Sequence, residues 1–348
     1  HNNTPSNTLS LHDALPISES LWAPISFSQT ALATSEEGRY SSTDWRYWWC
    51  TDDSQVFQFI GQDNIYFYCV AQPAMWEAMG WGLKQTTPVA NYHVLFMNKK
   101  ASSSGAIKPP MAAELLDHYT PEQLRAHWLS LALDAKAVSF SPKPYDTSVS
   151  HKDKKTGEEV LVKDDPRVVD PALKESAFLT NIFNRLARSC FYGAAKACGG
   201  KLPAVEASAE VAEECRRVTL EFERTVHDLD FHGALAGVEE FCRAANKRWD
   251  GASKAAGYDA DAYVAALADA FATLRTTALL MHPAVPAGCE LVAEHMGFAA
   301  HDFFSWEHAL ATPRELASAL GENPDEHAIV ELPPRFDFFR KHESQYKK

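Results

Sequence analysis

Cysteine is the first informative scarcity. The 348-residue chain has seven: Cys50, Cys69, Cys190, Cys198, Cys215, Cys242 and Cys289. The number is odd, no two form a CxxC pair, and the spacing is loose. That excludes a disulfide-stapled scaffold and a Cys-based zinc knuckle, and the residues read as reduced, mostly buried thiols of a cytoplasmic protein. Basic residues are short as well. Against 46 Asp and Glu stand 33 Lys and Arg, a formal net charge of −13, with a pI near 5.5. Nucleic-acid binding by bulk charge is thereby excluded, because it needs Lys and Arg to displace counterions from phosphates. Any such contact must be local. Mean hydropathy is −0.28, and no uninterrupted run approaches the roughly 20 apolar residues of a membrane helix, so no membrane partner is expected. Glycine-rich phosphate loops, a Ser-His-Asp order, internal repeats and His at metal-ligand spacing are all missing. No metal site is expected, and His282 and His295 read as helix-end or core residues.

What is present is the composition of a globular protein: 46% hydrophobic, 11% aromatic and 23% charged residues. The length suffices for two domains with sizeable cores. Thr8 to Ile17 resembles one translated frame of a DNA-sequencing adaptor. Residues 1–18 are therefore read as an artefact and left out of the fold, with the natural gene cut near Glu19. The alternative is a genuine amphipathic N-terminal arm.

Val56-Phe57-Gln58-Phe59-Ile60 reads as a short buried strand stopped by Gly61. Asp63 can cap the helix that follows, which Pro73 should bend. Pro88 to Phe96 gives a second strand, so strand, helix and strand form a parallel α/β unit. Residues 20–145 should be part of an open parallel sheet with apolar surface left exposed. Thr120-Pro121-Glu122-Gln123 opens a helix with its cap, its first-position proline and a capping Gln. Residues 146–170 are polar and read as a linker or exposed hairpin. From Pro171 the period becomes 3.6, with helices near 171–198, 208–229, 231–256, 259–281 and 286–297, an antiparallel all-α bundle. The aromatic tail carrying Trp306, Phe336, Phe338 and Phe339 should pack back on the body.

Several separated stretches resemble the C-terminal half of methionyl-tRNA synthetases, class I aminoacyl-tRNA ligases. Phe57 to Tyr68 is similar to the family's HFIGKDIxYFH, and Pro73-Ala74 follows as in the family. Lys100-Ala101-Ser102-Ser103-Ser104-Gly105 sits where the KMSKS loop belongs, and Tyr119 to Leu129 matches the h-Y-x-x-x-x-L-R run. Leu279 to Pro286 with Glu290 is similar to LLxPxxPxxxE. Asn181-Ile182-Phe183-Asn184-Arg185 resembles the anticodon-domain helix, and Ala23-Pro24-Ile25 is similar to part of WxDAPIGY. The matches run collinearly over about residues 20–310.

The resemblance implies a fold of two classes, α/β plus all-α. Residues 19–145 would be the C-terminal part of a Rossmann-like catalytic domain, 146–170 the linker, 171–310 the anticodon-binding bundle and 311–348 the tail. It also implies ATP, with Mg in the substrate complex, methionine or a similar amino acid, and tRNA as partners; DNA is not among them. Activation expels pyrophosphate from ATP, and a flexible loop with Lys and backbone N–H groups stabilises the charge that develops. Lys100, Ser102 and Ser103 take the catalytic positions, and Lys100 with Ser104 would contact ATP. Ser103 replaces the loop's second Lys and removes a full positive charge; Lys99 and Lys108 are near enough in sequence to compensate.

By the same resemblance Asp63 would hold the substrate α-ammonium. Tyr68 replaces a His, Phe27 a Tyr and Trp22 an Asp in the amino-acid pocket. Three bulky aromatics reshape that hole, which can still accept methionine because sulfur packs well on rings. Asn181 and Arg185 would read tRNA, and Trp249 is a candidate stacking aromatic, although the family's anticodon Trp falls nearer Ala255; Arg188, Lys247 and Arg248 add local positive charge. The HIGH motif and the zinc knuckle of the family are absent, so the chain as given is expected to be inactive alone. Two alternatives remain at this stage: a catalytically degenerate tRNA- or partner-binding protein, and a paralogue that activates another amino acid.

Overall fold

A computed structural model describes residues 20–100, 108–147, 150–152, 156–165 and 167–346. The expected artefact at 1–18 lies outside them. The chain forms two compact units. One takes the described residues up to His93 together with Leu133–Ala137; the other takes Val94–Ala132 and everything from Val138 onward.

The first unit begins with α1 (Ala23–Thr34), which carries proline in its first turn. The short α2 (Trp45–Cys50) is capped by the Asp44 carboxylate, which accepts from the Arg46 backbone N–H. Strand β1 (Phe57–Gly61) runs parallel to β2 (Thr87–Asn91), in register from Phe57 opposite Thr87 to Gly61 opposite Asn91. The connection is not one bent helix. It passes through a 3-10 turn at Gln62–Asn64 and a π-helical turn at Phe67–Ala71 before α3 (Gln72–Met79). Pro73 lacks the N–H that an α-helical ladder needs, and the turn ahead of it widens. Asp63 makes no side-chain cap to this connection, contrary to the capping expectation.

Ile25, Leu32, Trp45, Trp49 and Trp76 make the core of this unit, with Trp49 and Trp76 packed edge to face at 5.6 Å. Strand β1 is buried on one side only. Gln58 and Ile60 face inward, while Phe57 is 47% and Phe59 55% exposed. The expectation of a fully buried strand therefore fails on that face. Ile65, Tyr66 and Val70, further along the same segment, are exposed too.

In the second unit, β3 (Val94–Phe96) pairs antiparallel with β4 (Lys99–Lys100) and parallel with β5 (Val138–Phe140). The strand expected over Pro88 to Phe96 is thus two strands, β2 and β3, in different units. Met97 and Asn98 turn the β3–β4 hairpin with φ of 49° and 63°, the left-handed geometry that matches strand twist. The Met97 N–H donates to the Phe140 carbonyl at 3.1 Å and the Asn98 N–H to the Ser139 hydroxyl at 2.9 Å, which holds the strained pair. Helices α4 (Ala112–Leu115) and α5 (Pro121–Leu129) follow. Thr120 and Gln123 form the capping box of α5. Residues 150–161 contain a small hairpin, β6 (Ser150–Lys152) against β7 (Glu159–Leu161).

The helical part comprises α6 (Pro171–Lys174), a π-helical turn at Phe178–Phe183, α7 (Asn184–Ala197), α8 (Ala209–His227), α9 (Phe231–Ala256), α10 (Ala260–Met281) and α11 (Pro286–His295). Two short helices, α12 (Ala300–Phe303) and α13 (Pro313–Ala319), lead into the tail. Helix α10 is central. It is long and apolar enough to cross a membrane, which corrects the reading that no stretch qualifies. Its residues from Ala270 to Met281 are buried by their neighbours, so its apolarity is that of a core helix.

Fully buried Arg275 on α10 donates to the carbonyls of Ala311 at 2.7 Å and His308 at 2.8 Å. Its buried guanidinium thereby finds backbone acceptors in the segment that follows α12. Phe338 and Phe339 of the tail insert into the same core. Asn184 both donates to the Phe339 carbonyl (2.8 Å) and accepts from its N–H (3.0 Å).

Candidate functional site

The residues assigned to the amino-acid pocket belong to the first unit. Trp22 stands at the start of α1, half-buried, with its ring 5.9 Å from that of Trp81. One residue earlier, the Leu21 carbonyl accepts from Gln72 Nε2 at 2.9 Å, and Gln72 in turn accepts from Gln58 at 2.8 Å. This buried amide chain ties the start of α1 to α3 and β1, and so fixes Trp22 against the helical connection that carries Tyr68. Tyr68 is half-buried on the π-helical turn. Such a turn displaces side chains from α-helical positions and is frequent at functional sites.

Asp63 is exposed, its carboxylate accepting from Asn64 at 3.4 Å. A Cβ at Gly61 would lie 2.7 Å from Asp63 Oδ1, so a side chain there would turn the exposed carboxylate aside. Phe27 is 70% exposed and faces away from Ile25 and Leu32.

Lys100, the residue assigned to ATP, belongs to the second unit. Lys100 ends β4, exposed and opposite Leu95, with exposed Lys99 opposite Phe96. The hairpin thus ends in two consecutive exposed lysines. Ser102, Ser103 and Ser104 lie outside the described residues.

The helical residues are less uniform than their spacing implies. Asn181 is exposed on the π-helical turn, and Arg185 is exposed on the first turn of α7, paired with Asp250 of α9. Trp249 is only 9% exposed and packs against Tyr263 at 5.5 Å. It belongs to the core, and a base cannot stack on a face already covered. The local positive charge is also smaller than expected, because Arg188 pairs with Asp337 and Arg248 with Glu214, both at 2.6 Å. His282 lies stacked on Phe304, and His295 is buried among Phe191, Phe336 and Phe338. The cysteines are unpaired. Burial pushes the Cys215 thiol up to about 11 and that of Cys242 up to about 12, so both stay protonated and unreactive. Among the described residues no group of three or more His, Cys, Asp or Glu is placed to hold a metal ion.

Two residues that spacing alone did not single out join α5 to the start of α11. Glu122 accepts from the Gly288 backbone N–H at 2.9 Å, and Arg125 donates to the carbonyls of Ala284 (2.6 Å) and Pro283 (3.0 Å). Their only sequence signal is that Arg125 is the Arg of the h-Y-x-x-x-x-L-R run and Pro283 lies in the LLxPxxPxxxE-like stretch.

Comparison with known proteins gives these positions a context. Residues 22–151 match the family model of tRNA synthetases class I (M). The methionine–tRNA ligase of Methanoculleus marisnigri is 34% identical over 119 residues, which is 34% of this chain and 18% of that protein. That of Myxococcus xanthus is 26% identical over 326 residues, 89% of this chain and 42% of the relative. Among solved structures, Mycobacterium tuberculosis methionyl-tRNA synthetase bound by methionyl-adenylate aligns with a TM-score of 0.60 at 20% identity, covering 86% of this chain and 52% of that one. The chain thus spans about half or less of the length of these relatives. Over residues 22–151 the chain is thus similar to a class I aminoacyl-tRNA synthetase domain. The relatives and solved structures it resembles over most of its length are methionyl-tRNA synthetases.

Proposed function

We propose that this chain is the ATP-closing and tRNA-reading portion of a cytoplasmic ligase that joins methionine to tRNA. The observation that carries the reading is one polypeptide with a class I domain followed by a helical bundle, in the order of its relatives over 89% of its own length. Lys100, at the end of the β3–β4 hairpin, would close on the pyrophosphate of the ATP–Mg complex. Its charge would stabilise the leaving group as the α-phosphate is attacked by the methionine carboxylate. Ser102 and Ser104 would donate hydrogen bonds there, while Ser103 supplies no charge. Asp63 would bind the α-ammonium, and Tyr68 with Trp22 would border the thioether. Exposed Asn181 and Arg185 would meet the anticodon, Arg185 exchanging Asp250 for RNA.

Alone, the chain is proposed to be inactive. A parallel sheet in proteins of this type has both faces covered, and a two-stranded one with Phe57 half-exposed is a poor platform for ATP. The departures at Ser103, Tyr68 and Trp22 favour a second reading, a degenerate relative that binds tRNA or a protein partner without activating methionine. ATP–pyrophosphate exchange on the product of the complete gene separates them. Methionine-dependent exchange supports the first reading. Exchange with a different amino acid points to a paralogue, and none with any amino acid leaves only the second.

A further inference from the structure

We propose that Glu122 and Arg125 are positioning residues, a polar clasp that registers the Lys100 hairpin against the helical bundle. The two sit on one side of α5 and address backbone atoms within the turn that joins α10 to α11 and in the first turn of α11. Arg125 takes the last free carbonyls, of Pro283 and Ala284. Glu122 takes a free N–H group of the first turn of α11, at Gly288. Charged groups matched to a helix N-terminus and to its preceding carbonyls are directional in a way that apolar contact is not. Sliding α5 by one residue would break both sets of bonds.

The other side of α5 leads to the hairpin. His127 and Trp128 pack on Phe140 at 5.5 and 4.7 Å. Phe140 ends β5 opposite Phe96 of β3, and Leu95 of β3 lies opposite Lys100. A contiguous run of packed and hydrogen-bonded groups therefore connects the α10–α11 turn to Lys100. Beyond α11 it continues into the bundle, where Gly288 lies against the Phe339 ring that Asn184 of α7 holds by two backbone bonds. The consequence for catalysis rests on the reading of Lys100 given above; the clasp does not.

Amide hydrogen exchange on the intact chain tests it, without nucleotide or RNA, so that its outcome is separate from the tRNA reading. In Arg125→Ala and Glu122→Ala, amides of Val94–Lys100 and Pro121–Leu129 should exchange at least about tenfold faster while those of Ala209–His227 keep their protection. Glu122→Gln keeps an acceptor oxygen and should restore native exchange at the hairpin, a rescue that a purely steric role does not predict. Should the alanine variants fail to fold, Arg125→Lys, which loses the second donor to the turn, should raise exchange at the hairpin on its own. Unchanged hairpin exchange in a folded variant, an equal rise throughout the bundle, or failure of Glu122→Gln to rescue would overturn the proposal.

Discussion

Tyr119 donates its phenolic hydrogen to the Asp170 carboxylate at 2.6 Å, with Tyr119 1% and Asp170 9% exposed. Asp170 also accepts from the backbone N–H groups of Lys143 and Ala172. It therefore gathers α5, the segment after β5 and the first turn of α6 around one charge. Burial and the neighbouring carboxylate push the Tyr119 hydroxyl far up, so it stays a donor at every accessible pH. Tyr119→Phe should lower unfolding free energy by about 1.5–3 kcal/mol, the value of a hydrogen bond to a charged group. Asp170→Ala, which orphans three donors, should cost more. Urea denaturation of the two variants checks the order.

His127 is buried with neither ring nitrogen hydrogen-bonded. Burial lowers its pKa, against a smaller opposing pull from Asp170. The folded value thus lies below the unfolded one of about 6.5. In the window just below that value the unfolded chain binds a proton that the folded chain refuses. Stability is full above pH 6.5 and falls as pH drops toward the folded value. His127→Leu should be neutral or stabilising by about 1 kcal/mol at pH 7.5, and should flatten the decline between pH 7 and pH 5. Urea midpoints across that range decide it; an undiminished decline in the variant would assign the effect elsewhere.

Gly288 is buried where a Cβ would overlap the Phe339 ring. Gly288→Ala should therefore cost about 1–3 kcal/mol through overpacking. The loss should be greatest in the tail, so limited proteolysis beyond Leu332 should quicken while the α8 and α9 helices remain protected.

The local parts of the fold were readable because local chemistry sets them. β1 is β-branched and aromatic and stops at Gly61, the Thr120 cap starts α5, and Gly199-Gly200 follows α7. Long-range facts were not readable. Nothing near Asn91 marks the point where one apolar run becomes two strands of separate units. The π-helical turn before Pro73 depends on a backbone donor count rather than on periodicity. Trp249 shows the limit for the candidate site. A tryptophan on a helix serves equally as a stacking platform or as core, and only its contact with Tyr263 decides. Arg125 finds its acceptors 158 and 159 residues away, beyond the reach of any spacing rule. Arg185 looked like free charge until Asp250 was found beside it.

The most direct measurement is the affinity of the chain for tRNA bearing the CAU anticodon against the same tRNA with the anticodon exchanged, at fixed salt. A preference for CAU of tenfold or more, about 1.4 kcal/mol, is expected, falling toward unity in Asn181→Ala and Arg185→Ala. Equal affinity for both anticodons, or a preference untouched by those substitutions, would contradict it.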